Sequence, residues 1–210
     1  MRATSRLVLV ALALVVTFGC AGRQTYMVPP RIDLTQHEMI GVIDFSASSE
    51  GELGPLATRR FMDEARRDQG LVRIVGFGSQ DEALRSVGSS KLSPETFKTL
   101  GSERGVRTIV VGELAVSDIR PDLRVGAALR SGTLSAKVDA TLTVQLIETA
   151  TGASIWSTSA RATRSIGHIS VFNGGDFVFD ADDPDRAYGP LVDTLVAQVT
   201  QDFRVTWERR

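Results

Sequence analysis

The chain has 210 residues, 42% of them hydrophobic, and its 24 basic and 25 acidic side chains give a formal net charge of −1. A near-neutral balance without a basic excess argues against a nucleic-acid-binding face. The apolar content is enough to bury one sizeable core, so we expect one folded domain.

The N-terminus has the layout of a secretory signal. Arg2 and Arg6 precede an apolar run of about ten residues, and Gly19 precedes Cys20. The run is too short to cross a hydrocarbon core about 30 Å thick, which takes about 20 residues, so we favour a cleaved signal (residues 1–19) over a transmembrane anchor. Its removal takes away both arginines and shifts the net charge from −1 to about −3.

Cys20 is the only cysteine, so it cannot form an internal disulfide. The residues Thr17-Phe-Gly-Cys20 resemble the lipobox of bacterial lipoproteins, although Thr17 stands where Leu is usual and Phe18 is bulkier than the usual small residue. The resemblance implies a diacylglycerol and usually an N-acyl chain such as palmitate on Cys20. Ala21, in place of the Asp that retains lipoproteins at the inner membrane, implies an outer-membrane location facing the periplasm. The alternative is an ordinary signal peptide with an unrelated cysteine.

Residues 20–36 are predicted to form a flexible tether between the lipid and a domain at 37–210. Pro29 and Pro30 oppose a helix and favour an extended backbone. Fully stretched, the segment reaches at most about 50 Å.

Apolar periodicity predicts the elements of the domain in chain order. Strands are expected at 39–45, 71–75, 106–116, 138–146 and 154–163, and helices at 55–70, 79–87, 93–104 and 184–207. The stretch 123–137 is open between a loop and a strand. The order predicts an α/β (α+β) domain in which helices pack on a mixed sheet with a long antiparallel hairpin at about 138–163, and which ends in a C-terminal helix.

Three stretches in this order resemble the curli-secretion-channel (CsgG-like) superfamily: Ile40-Gly-Val-Ile-Asp-Phe45, the helix and strand from Phe97 to Glu113, and the Thr-Gly hairpin from Leu142 to Ser157. That superfamily includes the lipoprotein activators of penicillin-binding proteins (LpoB-like) and is related to the N-terminal domain of the Tol translocation protein TolB. The resemblance implies a compact anticodon-binding-like domain and a non-enzymatic envelope protein that acts through protein contacts.

A pore like the curli channel requires strands of about 9–11 residues with an apolar outer face. The stretch 123–140 has the length but carries Arg124, Arg130 and Lys137, and 166–181 offers two strands of only about five residues. We therefore place an oligomeric channel second to a protein-binding lipoprotein.

Groups suited to catalysis are sparse. His37 and His168 lack metal-ligand spacing and are expected at the surface. Gly76-Phe-Gly78-Ser79 lacks the third glycine of a dinucleotide fingerprint and is interpreted as a turn. We expect no cofactor and no enzymatic activity.

Two other groups of residues offer candidate sites. The acidic side chains Asp176, Asp180, Asp182, Asp183 and Asp185 could ligate Ca²⁺, but they lack the glycine turn and distal glutamate of an EF-hand. We favour a solvated loop in which Asp182 or Asp183 caps the last helix. The aromatic side chains Phe172, Phe177 and Phe179 either pack under that helix or form a partner-binding patch.

The sequence therefore predicts a non-enzymatic lipoprotein, attached to the outer membrane through lipid, whose periplasmic domain binds envelope or periplasmic proteins. The expected roles are assembly, secretion or cell-wall regulation, and a homo-oligomer stays possible. A CsgG-like channel component and a Ca²⁺- or small-ligand-binding module are the alternatives.

Overall fold

The computed structural model describes residues 25–121, 134–171, 177–179 and 181–209. They form two compact units: a body, residues 30–204, and a small unit that includes residues 25–29 and 205–209, which we call the ribbon. In chain order the strands and helices are β1 (Thr25–Val28), β2 (Met39–Val42), β3 (Ser46–Ala47), α1 (Leu53–Gln69), β4 (Arg73–Gly76), α2 (Gln80–Ser86), α3 (Pro94–Arg104), β5 (Thr108–Pro121), β6 (Leu134–Glu148), β7 (Ser154–Val171), β8 (Phe177–Val178), α4 (Pro184–Val199) and β9 (Thr206–Arg209).

The sheet of the body has the strand order β4-β2-β5-β6-β7-β8, with β3 also paired to β5. Strand β2 runs parallel to β4 and β5, and β5 to β8 are antiparallel to one another. The predicted mixed sheet is therefore confirmed. The predicted hairpin is also confirmed, and it is longer than the 138–163 expected, because β6 and β7 together run from Leu134 to Val171.

Helices cover the two faces of this sheet unequally. On one face, α1 and α4 bury alternate residues of β6, namely Val138, Ala140, Leu142, Val144 and Leu146. On the other face, α2 and α3 pack near Ile109 and Ile147 in a second, smaller cluster. The period-two alternation that predicted β6 thus marks the side of the strand that lies in the main core.

The starts of α2, α3 and α4 follow the predicted capping chemistry. Ser79 caps α2 with a capping box. The Ser79 hydroxyl accepts from the Glu82 N–H, and the Glu82 carboxylate accepts from the Ser79 N–H. Ser93 caps α3 directly before Pro94. Asp183 caps α4 before Pro184, its Oδ1 lying 3.1 Å from the Arg186 N.

The turn of the β6–β7 hairpin depends on glycine. Gly152 has a φ of +71°, in the left-handed region. A Cβ at this position would lie 2.4 Å from the Cα of Pro94, at the start of α3. The turn therefore lies closely against that helix.

The predicted terminal helix, 184–207, is too long. Helix α4 ends at Val199, a 3-10 turn follows at Gln201–Phe203, and residues 206–209 form β9. Thr200 Oγ1 donates back to the Val196 carbonyl over 2.8 Å where the helix ends. Beyond it, β-branched and aromatic residues favour a strand.

The predicted tether also differs from the structure. Within it, residues 25–28 form β1, which pairs antiparallel with β9, and Leu34 begins a 3-10 turn with its side chain buried. In the part of the chain that the structure describes, β1 therefore lies ahead of the predicted domain start at 37, because it has a distant strand to pair with. Among the described residues, no helix combines the length and apolar character needed to cross a membrane.

Candidate interaction surface

Two acidic residues of the run, Asp183 and Asp185, have structural partners. Asp183 is the N-cap of α4, and Asp185 Oδ1 lies 2.6 Å from Arg60 on α1. Asp182 is exposed. Asp176 and Asp180 lie outside the described residues. Within the described ranges, no three His, Cys, Asp or Glu side chains come together as metal ligands.

Phe179 belongs to the core rather than to a partner-binding patch. Its side chain is fully buried, and its ring contacts Tyr188 of α4 edge-on at a centroid distance of 5.4 Å. Its backbone bridges the loop before α1, with Phe179 N donating to the Glu50 carbonyl over 3.1 Å. Phe177 lies in β8, and Phe172 lies outside the described residues.

The other predicted site residues have less structural definition. Cys20 lies outside the described residues. His37 ends the 3-10 turn of the body half-buried, and burial lowers the pKa of its imidazole. His168 lies in β7.

One face of the β5–β7 sheet stands out as a surface. Past the cluster under α2 and α3, it carries polar side chains that are exposed or half-buried, and we call it the polar face. Its residues on β6 and β7 are Lys137, Asp139, Thr141, Thr143, Gln145, Ser157, Ser159, Arg161, Thr163 and Ser165. A bulge between Val116 and Asp118 turns Asp118 and Arg120 of β5 toward the same side.

Hydrogen bonds across the strands order this surface. Thr163 donates to Asp139 Oδ1 over 2.5 Å, and Arg120 lies 2.6 Å from Asp139 Oδ2. The Thr163 hydroxyl, and then the charge of Arg120, hold the pKa of Asp139 below its ordinary value of 3.8. Further along, the hydroxyls of Thr143 and Ser159 lie 3.2 Å apart. The polar face thus consists of small hydroxyl side chains along most of its length, with Asp139, Arg120 and Lys137 at one end and Arg161 near its middle.

Among the described strands, β7 lies at the edge of the sheet over most of its length and borders this face. Its other neighbour, β8, pairs only with Ser170 and Val171, so in the described part of the chain β6 is the strand partner of β7 from Ser154 to Ile169. No acidic residue occurs in β7, and Arg161 is exposed on the polar face. The sequence predicts the strand and its alternation but not its place at the edge, because pairing order depends on distant segments.

No protein family and no curated protein matches the sequence. Solved structures do resemble the chain. The PelC dodecamer from Paraburkholderia phytofirmans is 16% identical over 86% of this chain and 96% of that chain, with a TM-score of 0.46. The LpoB C-terminal domain from Escherichia coli is 15% identical over 61% and 84%, with a TM-score of 0.39. Lipoprotein GNA1162 from Neisseria meningitidis is 10% identical over 60% and 81%, with a TM-score of 0.37. At identities of 16% or less and TM-scores of 0.46 or less, these likenesses assign neither an activity nor a partner.

Proposed function

We propose that the chain is a non-enzymatic envelope lipoprotein that is attached to the outer membrane through acyl chains on Cys20 and binds other envelope proteins through its β7 edge and polar face. The observation that carries the protein-binding part is the long edge of β7. The attachment through lipid is supported by the signal-like N-terminal segment, which leads directly to the only cysteine, Cys20.

An edge strand offers a row of backbone N–H and C=O groups to an extended segment of another chain. Strand addition of this kind gains affinity from main-chain hydrogen bonds and specificity from the neighbouring side chains. On β7 those side chains are small at Ser157, Ser159 and Thr163, so a partner strand can approach closely. The edge from Ser154 to Ile169 is longer than a typical strand, so it can pair with a long partner strand.

The charges of β7 favour an acidic partner segment. Arg161 is exposed on the polar face, and Arg164 lies on the opposite side, with its guanidinium 3.4 Å from the Thr194 hydroxyl of α4. Opposite charge on the partner raises the association rate and helps fix the register of pairing.

Lipidation would keep the domain close to its partners. One acyl chain binds a bilayer only reversibly, whereas two or more give stable attachment. Attachment to the same membrane confines both molecules and raises their effective concentration. A modest contact along β7 is then sufficient for function.

Site-specific cross-linking tests the interface. A photoreactive residue in place of Ser159 on β7 should capture an envelope protein in living cells, whereas the same group at exposed Arg59 on α1 should not. Cross-links that join two copies of this chain would assign the edge to self-assembly. Turnover of an envelope substrate by the purified domain would contradict the non-enzymatic assignment.

Charge reversal supplies the matched pair of variants. Arg161→Glu should weaken recovery of the captured partner, and Arg73→Glu should not, since Arg73 lies on β4 at the opposite edge of the sheet. Both side chains are exposed, so both variants should melt close to the parent protein. Equal recovery with the two variants would remove β7 from the interface.

A further inference from the structure

The ribbon presents an apolar pair of side chains to solvent. Strand β1 pairs antiparallel with β9, with Met27 opposite Trp207 and Tyr26 opposite Glu208. Met27 is 56% exposed and Trp207 is 66% exposed. Directly opposed residues share one face of an antiparallel pair, so these two side chains form one small apolar patch.

The two faces of the ribbon differ in character. Tyr26 and Glu208 lie on the face opposite to the patch, where the tyrosine hydroxyl donates to Glu208 Oε2 over 2.5 Å. One face therefore has the Tyr26 hydroxyl and the Glu208 carboxylate engaged with each other, and the other exposes a thioether and an indole. A two-stranded ribbon is at best marginally stable alone in water, and covering its apolar face would stabilise it.

The position of Cys20 indicates what covers the patch. Cys20 lies five positions before Thr25, the first residue of β1. Five residues span at most about 18 Å even when fully extended. Acyl chains on that sulfur therefore hold the ribbon within a short distance of the headgroup layer, which is only about 5–8 Å thick on each side of the bilayer.

We propose that the Met27–Trp207 face of the ribbon lies in the headgroup region of the membrane and forms a second membrane contact beside the lipid. This inference rests on the lipidation in the proposed function. Trp is enriched at membrane–water interfaces because its ring is apolar while its N–H keeps a polar partner there. Since the acyl chains already confine the ribbon, a weak intrinsic affinity for lipid is enough.

Tryptophan fluorescence tests the contact directly. The chain has two tryptophans, Trp156 and Trp207, so a Trp156→Phe background leaves the ribbon indole as the only reporter. Lipidated full-length protein is placed in vesicles of phosphatidylcholine and phosphatidylglycerol that carry bromine near the top of their acyl chains. We expect the emission of Trp207 to shift to the blue and to be strongly quenched by the brominated lipid.

Two further measurements make the test independent of the core substitution. In the native background, the Trp207→Phe variant should lose the quenched part of the emission, while Trp156, which is 9% exposed, contributes the unquenched part. In the unlipidated Cys20→Ser chain, Met27→Ser should weaken partition into the same vesicles about fivefold. Leu71→Ser is the control, since Leu71 is 99% exposed in the body and should leave partition unchanged.

The outcomes separate this inference from the proposed function. Mass spectrometry of the Cys20 peptide reports lipidation by itself, and an unmodified peptide defeats the proposed function. A lipidated protein whose Trp207 stays unquenched, with the emission of a solvated indole, overturns the inference alone. A blue shift that depends on protein concentration and needs no vesicles would show that a second copy covers the patch, which also overturns it.

Discussion

Gln69 at the end of α1 joins three segments of the body through one buried side chain. Its Oε1 accepts from the Leu34 N over 2.8 Å. Its Nε2 donates to the carbonyls of Ile32 and Phe203, over 3.1 and 2.5 Å. The chain that enters the body after Pro30 is thus tied to α1 and to the turn after α4.

We predict that Gln69→Met lowers the free energy of unfolding by about 2–4 kcal/mol. Methionine keeps most of the volume but removes three hydrogen bonds, each worth about 1 kcal/mol net, and leaves buried backbone groups without a partner. For a domain of this size the loss corresponds to roughly 10 °C in Tm. Leu34 and Phe203 are each 1% exposed, so water does not readily replace the amide.

Urea denaturation followed by circular dichroism gives the stability, and hydrogen exchange at the Leu34 amide gives the local effect. Gln201→Met is the matched control, because Gln201 is exposed in the 3-10 turn that follows α4. A change below about 0.5 kcal/mol in Gln69→Met, or an equal loss in both variants, would refute the assignment of Gln69 as a structural tie.

Three further predictions concern the core, the hairpin turn and the polar face. Phe179→Ala should cost about 3–5 kcal/mol in chemical denaturation, and a loss of partner binding without a loss of stability would contradict its place in the core. Gly152→Ala should lower Tm more than Gly70→Ala, because both glycines have φ near +70° but only the first would also bring a Cβ to 2.4 Å from a neighbouring backbone; equal losses would argue against the tight turn. The lowered pKa of Asp139 means that its contribution to stability is present above pH 3.8 and is lost as the pH falls through the lower folded value. Melting curves between pH 5 and 2.5 should therefore fall less steeply for Asp139→Asn and for Thr163→Val than for the parent, and parallel curves would contradict this.

Local chemistry accounts for most of what the sequence predicts correctly. Ser79, Ser93 and Pro94 satisfy or avoid the free N–H groups of a first helical turn, and such signals need no knowledge of the remaining chain. The buried stripe of α4, including Ala187 and Leu195, follows from helical spacing in the same way.

Strands β1 and β9 are not predicted from the sequence, because they depend on long-range pairing. Strands β1 and β9 lie near opposite ends of the chain, with Tyr26 and Glu208 separated by 182 positions. Each has four residues, and β9 follows a helix whose apolar spacing continues to Phe203. No local signal in either segment names the other as its partner.

For the candidate surface too, local patterns predict some features, and others depend on distant segments of the chain. Alternation on β6 predicts that Asp139, Thr141 and Thr143 face water. It does not predict that β7 lies at an edge. This alternation also does not predict the burial of Phe179, because backbone hydrogen bonds to the loop before α1 set the environment of that residue.

The most direct test of the whole account is the chemistry of Cys20. Cells expressing the chain are fed a clickable fatty-acid probe, with Cys20→Ser as the control, and the labelled protein is followed into the outer-membrane fraction. We predict label that depends on Cys20 and a mature chain that begins at that residue. An unlabelled protein that is released free into the periplasm would contradict it.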